Sequence, residues 1–326
     1  GVHRAACDGW SLDVLLHDLG QVYTAVVTGG ALPAPPGHGV SDYHAYRAEP
    51  QFADRIESSR RFWREALAPA SPPPDPADAP STSESRPHHI LDTRSTLSSE
   101  LVASAKQLSR DQGISFFTVL LSTLAVLLRR ASGVDDVAIG VPVAGQPEAG
   151  MEDCVGHLAS LVPVRCHFEP GLSFLDLYRA VGGAILDARE NAAAGLEEIA
   201  EDAVGGNGAG PLVSAVFTHV QEYAPGKLQF GDCSVKYSPN PRRRGVFDLE
   251  VTAFETHEGL DVMAQALVAG RDRGWLETRV QEFESVLREA LRTPHAAVDG
   301  GEGSSDHGPE PPAAPTGDGE VASEQP

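Results

Sequence analysis

The sequence lacks three features that would point to a membrane or a nucleic acid. Its 326 residues include no apolar run of the roughly 18 residues that a membrane-spanning helix needs, and no signal-peptide pattern at the start. Basic residues are scarce, with 25 Lys and Arg against 46 Asp and Glu, for a formal net charge of −21. Because such a chain is repelled by phosphate backbones, we expect neither a membrane nor a nucleic acid among its partners.

Cysteine is also scarce, and the familiar catalytic and ligand-binding motifs are missing. The four cysteines show no CxxC spacing, and the chain has no HExxH string, P-loop, GxGxxG after a strand, or GxSxG elbow. We therefore expect no metal, no cofactor bound by the chain itself and no hydrolase triad. The thiols are predicted to be reduced and buried, as in a cytoplasmic protein.

The apolar residues that are present recur at spacings that predict alternating helices and strands. Helices are expected from an N-cap at Ser11 to Gly29, over 52–67, and over 116–128, where the sequence is apolar on almost every side. Further helices are predicted over 98–108, 174–189 and about 276–291. Strands are predicted over 90–97, 134–143, 161–168, 212–220, 233–237, 247–255 and 260–267. This mixture is typical of a layered α/β fold.

Two segments depart from this pattern. Residues 69–87 are rich in Pro, Ala, Asp and Ser, which predicts a linker, and the residues after 293 are acidic without Lys or Arg, which predicts disorder. Because the chain opens with Gly1 rather than Met and reaches a motif within three residues, we expect a fragment of a longer polypeptide or a misplaced start.

That opening motif consists of His3 and Arg4, three further residues, and then Asp8 and Gly9 before an amphipathic helix. The guanidinium of Arg4 only donates hydrogen bonds and stays protonated near neutral pH, so Arg4 cannot act as a general base.

The string HRAACDG resembles the HHxxxDG motif of nonribosomal peptide synthetase condensation domains, with Arg4 at the second histidine. Other strings resemble family segments in the same order: RRFWREALA, FFTVLLSTLAVLLRRASGVDDVAIGVPVAGQ, VGHLASLVPVR, GPLVSAVFTHVQ and FDLEVTAFE. Gln146 stands where the family has arginine and Ser160 where it has asparagine, and residues 191–199 also depart from the family pattern. The ordered matches extend from residue 1 to about residue 292.

This resemblance implies the chloramphenicol-acetyltransferase-like fold of two lobes, with the first lobe incomplete. It implies that residues 1–67 are the end of the first lobe, 68–87 the linker, 88–293 the second lobe and 294–326 a disordered tail. A tunnel between the lobes would admit the phosphopantetheine arms of carrier proteins, which are substrates and not cofactors of the domain.

The resemblance also assigns roles within the motif. Asp8 would hold the motif loop through an arginine from the missing part of the first lobe, or would pair with Arg4. His3 would be structural, and Gly9 would allow close backbone approach at the tunnel. Trp10 is more typical of a core residue than of a ligand contact. The resemblance thus makes His3, Arg4, Asp8 and Gly9 the candidate catalytic positions, with Arg4 in the place of the catalytic histidine. It places Trp10 and Ser160 in the substrate channel.

Several functions remain open at this point. The first is amide-bond formation between carrier-bound acyl or aminoacyl thioesters, impaired by Arg4. The second is a non-catalytic condensation-like domain that recruits a partner. Glycopeptide synthetases contain such a domain, which carries an HR variant of the motif and recruits tailoring cytochromes P450. A decayed remnant and a related acyltransferase acting on alcohols are further alternatives. The expected partners are carrier domains, neighbouring synthetase domains and a tailoring oxygenase.

Overall fold

The structure is a computed structural model that describes residues 2–68, 89–203, 212–221, 228–233, 245–256, 258–268 and 271–299. A 3₁₀ turn over Arg4–Ala6 precedes the first helix. The helices are α1 Gly9–Thr28, α2 Val40–Arg47, α3 Pro50–Ala66, α4 Ser99–Gln112, α5 Phe116–Ser132, α6 Phe174–Glu190, α7 Leu196–Ala203 and α8 Arg273–Arg292. The strands are β1 Ile90–Ser98, β2 Asp136–Val143, β3 Ser160–His167, β4 Ala215–Val220, β5 Leu249–Thr256 and β6 Gly259–Leu267.

The strands form one mixed sheet of six in the order β1-β6-β5-β4-β2-β3. β2, β4 and β5 run parallel to one another, while β1, β3 and β6 run antiparallel to their neighbours. The carboxyl ends of β2, β4 and β5 and the start of β3 therefore share one end of the sheet. The segment that joins β2 to β3 lies at that end.

Helix α5 forms the centre of the core on one face of the sheet. Its side chains are buried continuously from Thr118 to Leu128, which explains why its sequence is apolar on almost every side. Ser115 caps its first turn by accepting a hydrogen bond from the Thr118 N–H at 3.0 Å. Gly133 ends the helix in the left-handed region at φ 69°, a conformation that glycine adopts without strain.

Helix α3 packs against the same core although it precedes the predicted linker. Trp63 is buried in the main hydrophobic cluster, and its Nε1–H donates to the Asn191 carbonyl at 2.9 Å. Arg60 forms a two-pronged ion pair with Asp202 on α7. Residues 50–66 are thus joined closely to the part of the chain that follows β3.

Most predicted helices and strands are confirmed within a few residues, with some differences. Asp8, and not Ser11, is the N-cap of α1. The short helices α2 and α7 were not predicted, because neither segment has a long apolar repeat. The predicted strand over 233–237 and the linker over 69–87 fall almost entirely outside the described residues.

Residues 294–299, the first part of the segment that was predicted to be disordered, are ordered in the structure. Val298 is buried, and its N–H donates to the Leu172 carbonyl at 2.8 Å, while Asp299 pairs with Arg129. Residues 294–299 therefore pack against the α5–α6 region, and residues 300–326 lie outside the described part of the chain.

Two expectations from composition can be compared with the described residues. No single described helix is long and apolar enough to cross a membrane; α4 and α5 pass such a test only as a pair, bent by 110°. The four cysteines are free thiols, of which Cys7, Cys154 and Cys166 are buried as predicted. Cys233 is exposed, so the prediction of buried thiols was wrong for this residue.

Candidate functional site

The motif at the start of the chain is anchored through the carboxylate of Asp8. Asp8 is the N-cap of α1, in extended backbone conformation, and its Oδ1 accepts from the Ser11 N–H at 2.8 Å. This bond satisfies one of the free N–H groups at the start of the helix and places an anion at its positive end. The cap fixes the direction in which α1 leaves the motif.

The same carboxylate reaches across to the segment that joins β2 to β3, here called the 145–159 loop. Its Oδ2 accepts from the backbone N–H groups of Leu158 and Ala159, each at 2.9 Å. The carboxylate therefore ties the start of α1 to the carboxyl-end side of the sheet through backbone donors that no side-chain pattern reveals.

Gln146 completes the surroundings of the carboxylate. Its side chain is fully buried, and its Nε2 lies 3.2 Å from each oxygen of Asp8 and 3.2 Å from Ser11 Oγ. Two amide hydrogens are thus shared among three acceptors. Gln146 Oε1 is buried and has no hydrogen-bond partner among the described residues.

Ser11 contributes a second link between α1 and the loop. Its hydroxyl donates to the Gly156 carbonyl at 2.7 Å and accepts from the Gly156 N–H at 3.0 Å, while the Asp8 N–H donates to the same carbonyl at 3.1 Å. From its place before the apolar repeat, Ser11 was predicted only to cap the helix. Its part in this network could not be found from spacing, because Gly156 lies far away in the chain.

The environment of Asp8 favours its charged form. Burial opposes ionisation, but hydrogen bonds from Ser11, Leu158 and Gln146 outweigh it, so the pKa of Asp8 lies below its ordinary value. Burial raises the pKa of the nearby Cys7 and Cys154 thiols, and the negative charge of Asp8 adds to both shifts. The site is therefore an anionic carboxylate among neutral groups, as far as the described side chains show.

Close backbone packing positions the 145–159 loop. A Cβ atom on Gly145 would lie 2.4 Å from Tyr43 Oη and 2.5 Å from the Leu158 carbonyl oxygen, so only glycine fits there. Arg55 on α3 also forms an ion pair with Glu148. Helices α1, α2 and α3 therefore all meet this loop.

The other predicted positions lie around this anchor. Trp10 is partly exposed and its Nε1–H donates to the Glu152 carbonyl at 2.9 Å, so the expectation of a core residue was wrong. His3 is exposed, and its Nδ1 accepts from the Ala5 N–H at 3.1 Å. Ser160 begins β3, directly after Ala159, and is half-buried.

Two motif positions have predicted contacts that lie beyond the described residues. No described atom lies within 4 Å of a Cβ built on Gly9, so the described residues leave open space there, and its close approach to a substrate stays a prediction. The backbone of Arg4 lies in the 3₁₀ turn, but its side chain is outside the described part of the structure, and so is the predicted pairing of Arg4 with Asp8. The predicted arginine of the first lobe is not part of this sequence.

A second buried polar cluster lies nearer the middle of the sheet. His219 on β4 is flanked by Phe116 and Phe117, and its Nε2 lies 2.9 Å from Glu255 Oε1 on β5, at an angle poor for a hydrogen bond. Lys106 on α4 pairs with the other oxygen of Glu255. Burial lowers the pKa of His219, which the charge of Glu255 partly offsets.

The described residues show no group of three or more His, Cys, Asp or Glu side chains placed to hold a metal ion. The functional side chains within the motif are the imidazole of His3, the guanidinium of Arg4, the thiol of Cys7 and the carboxylate of Asp8.

Comparisons with known proteins agree on one family. A sequence profile described as "Condensation domain" matches residues 1–306. The chain is 27% identical over 297 residues to malpinin synthetase of Mortierella alpina, covering 87% of this chain and 4% of that protein. It is 30% identical over 188 residues to phosphinothricin tripeptide synthetase PhsC of Streptomyces viridochromogenes, covering 57% of this chain and 17% of that protein.

Solved structures show the same fold. The first condensation domain of the calcium-dependent antibiotic synthetase matches with a TM-score of 0.76 at 23% identity, over 92% of this chain and 65% of the other. The X-domain from teicoplanin biosynthesis matches with a TM-score of 0.77 at 20% identity, over 91% of this chain and 70% of the other. A further match is a complex of that X-domain with OxyB, with a TM-score of 0.76 at 20% identity, over 92% of this chain and 68% of the other.

Proposed function

Because the chain belongs to the condensation-domain family of nonribosomal peptide synthetases, we propose that its motif receives carrier-bound acyl and aminoacyl thioesters and that amide formation there is impaired by Arg4. The observation that supports this proposal is the anchored motif. Asp8 holds the motif against the 145–159 loop, and Arg4 lies four residues before this anchor. The motif thus keeps its anchor at Asp8, although Arg4 replaces the histidine that would accept the proton.

The chemistry at position 4 explains the expected impairment. Joining an amine to a thioester requires that the amine lose a proton as the new bond forms. A guanidinium has no lone pair available for that proton, whereas it can donate hydrogen bonds to a developing oxyanion. General-base catalysis contributes about 10²–10⁴-fold in enzymes, so we expect a loss in this range.

The test is a single-turnover reaction with two carrier proteins, a donor loaded with leucine and an acceptor loaded with glycine as probes. We expect the unaltered chain to bind both carriers and to form dipeptide slowly, and Arg4→His to increase the rate about 100-fold. Asp8→Asn in the Arg4→His background is the matched control for loss of the anchor. Equal rates with Arg4 and with histidine would contradict the impairment, and absence of carrier binding would contradict the proposal as a whole.

A second function is supported by the His3-Arg4 pair and by the similarity to the X-domain that was solved with OxyB. In this alternative the chain forms no amide and recruits a tailoring oxygenase. The two proposals are separated by the same variants: saturable binding of OxyB, used as the probe, together with no product from either Arg4 or Arg4→His chains, would favour recruitment.

The domain organisation is part of the proposal. We assign residues 1–67 to the end of the first lobe and 88–293 to the second, with 68–87 between them. The exposed apolar side chains of α1 support this assignment, because the matched structures extend beyond this chain and a more complete first lobe would cover such a face. We also propose neighbouring synthetase domains as partners and a cytoplasmic location, which the free thiols support.

A further inference from the structure

The Asp8 carboxylate is buried, yet the contacts that hold it from the 145–159 loop are neutral. They are two backbone N–H groups and one amide, Gln146, whose hydrogens are shared over long contacts of 3.2 Å. Among the described side chains, the titratable groups that the charge of Asp8 affects are the thiols of Cys7 and Cys154, whose pKa values are raised by burial and by that charge. A buried anion held in this way depends strongly on each donor, because losing one leaves charge without compensation.

The length of Gln146 sets how closely α1 approaches the loop. Its Nε2 already lies at hydrogen-bond distance from both carboxylate oxygens, and the side chain is fully buried. An arginine at the same place carries its terminal nitrogens two bonds further out, so it would need Asp8 to lie further away. The present distance between α1 and the loop therefore suits the length of glutamine and is too short for arginine.

We propose that Gln146 is a positioning residue: its amide fixes the Asp8 carboxylate, and through the cap of α1 it fixes the place of the motif residues 3–6. It does so with a neutral donor. The proposal concerns how the motif is held and does not depend on which of the two functions above is correct. It requires that Gln146 favour the charged form of Asp8, which a residue acting only by packing would not do.

The first test uses Gln146→Met, which keeps the length of the side chain and removes the donor. The unfolding free energy is measured against pH with and without Asp8→Asn, so that the difference reports the ionisation of Asp8. Since the folded pKa of Asp8 is lowered, its contribution is present above the ordinary carboxyl pKa and is lost as pH falls through the folded value. In Gln146→Met we expect about a tenfold increase in the proton affinity of Asp8 in the folded state, so that the contribution of Asp8 at neutral pH is smaller and its loss is complete at higher pH.

The matched control is Gln265→Met, because Gln265 is another buried glutamine, on β6 and away from the motif. This variant is expected to leave unchanged the contribution of Asp8 to the unfolding free energy at each pH. Gln146→Met could instead lower the unfolding free energy equally at every pH and leave the pH dependence contributed by Asp8 unchanged. In that case Gln146 acts only by packing and the proposal is wrong.

A second variant keeps the proposal testable if Gln146→Met does not fold. Gln146→Glu places a carboxyl of the same shape against Asp8, and repulsion raises the pKa of the introduced carboxyl. Its stabilising contact exists while that carboxyl is protonated and is lost as pH rises through the raised value. The variant should therefore approach the unaltered chain in stability at low pH and fall below it near neutral pH, and the fall should be smaller in the Asp8→Asn background, which removes the opposing charge. A difference that does not change with pH would overturn the proposal.

Discussion

Helices α1 and α5 are both rich in apolar residues, but the fold uses them differently. In α5, eleven of 17 residues are buried, and the helix lies between the sheet and the neighbouring helices. In α1, only Ser11 and Gly20 of its 20 residues are buried, and Leu19, Val26 and Val27 are each more than half exposed. Apolar composition therefore predicted a helix in both places, but it did not predict which helix the rest of the described chain covers.

The two helices are also held by different forces. α5 is held by continuous apolar contact, whereas α1 is held mainly at its polar start, through Asp8 and Ser11, and again where Thr24 meets the segment around Gly231. A side chain removed from the middle of α5 should therefore be more costly than one removed from the middle of α1. The predictions below test this difference.

The largest effect is expected at the centre of α5. Leu124 is fully buried, so Leu124→Ala should leave a cavity and lower the unfolding free energy by about 2–5 kcal/mol. Chemical denaturation with an unchanged denaturant slope would measure it. A loss below about 1 kcal/mol would show that α5 is not the centre of the core.

The next effect is expected at the polar start of α1. Asp8→Ala leaves the N–H groups of Leu158 and Ala159 without their acceptor and should cost about 1–3 kcal/mol. Hydrogen exchange would show faster exchange at these two amides than at those of α5. If α1 were held by its apolar face, this substitution would be nearly silent.

A smaller effect, dependent on pH, is expected beside the start of α5. The buried His219 has a lowered pKa, so the unfolded state takes up its proton first and stability falls as pH drops below the ordinary imidazole range. His219→Leu should remove part of this acid sensitivity, as measured by thermal unfolding between about pH 7 and 5. The control is His44→Leu at the exposed His44 of α2, which should retain it. Equal acid sensitivity in both variants would count against the role of His219.

The smallest effect is expected on the exposed face of α1. Leu19 is 57% exposed, so Leu19→Ala should change the unfolding free energy by no more than about 0.5 kcal/mol. The same denaturation measurement as for Leu124→Ala makes the comparison direct. A loss of 2 kcal/mol or more would mean that this face is covered, for example by a second copy of the chain.

Much of the fold followed from local patterns. The strands and the long helices were predicted because apolar spacing and caps such as Ser98 act within a few residues of one another. The cap of α1 was assigned to Ser11 instead of Asp8, because both are good capping residues and sequence alone does not fix which one lies outside the helix. The short helices α2 and α7 lack enough repeats to be recognised.

The candidate site shows the same limit. The motif positions and the unusual Gln146 were visible in the sequence, but their meeting was not, since 138 residues separate Gln146 from Asp8. The donors of Leu158 and Ala159 are backbone groups, which every residue other than proline carries, so no residue type indicates them.

Residue type and local spacing were enough to predict the α/β layering, the buried character of α5 and the absence of a base at position 4. The contacts of the folded chain were needed to show that Asp8 is held by the 145–159 loop, that Trp10 is partly exposed and that the apolar face of α1 is left open by the described residues. The reason is physical: burial and hydrogen-bond partners are set by which distant segments the sheet brings together, and the order of its strands differs from their order in the chain.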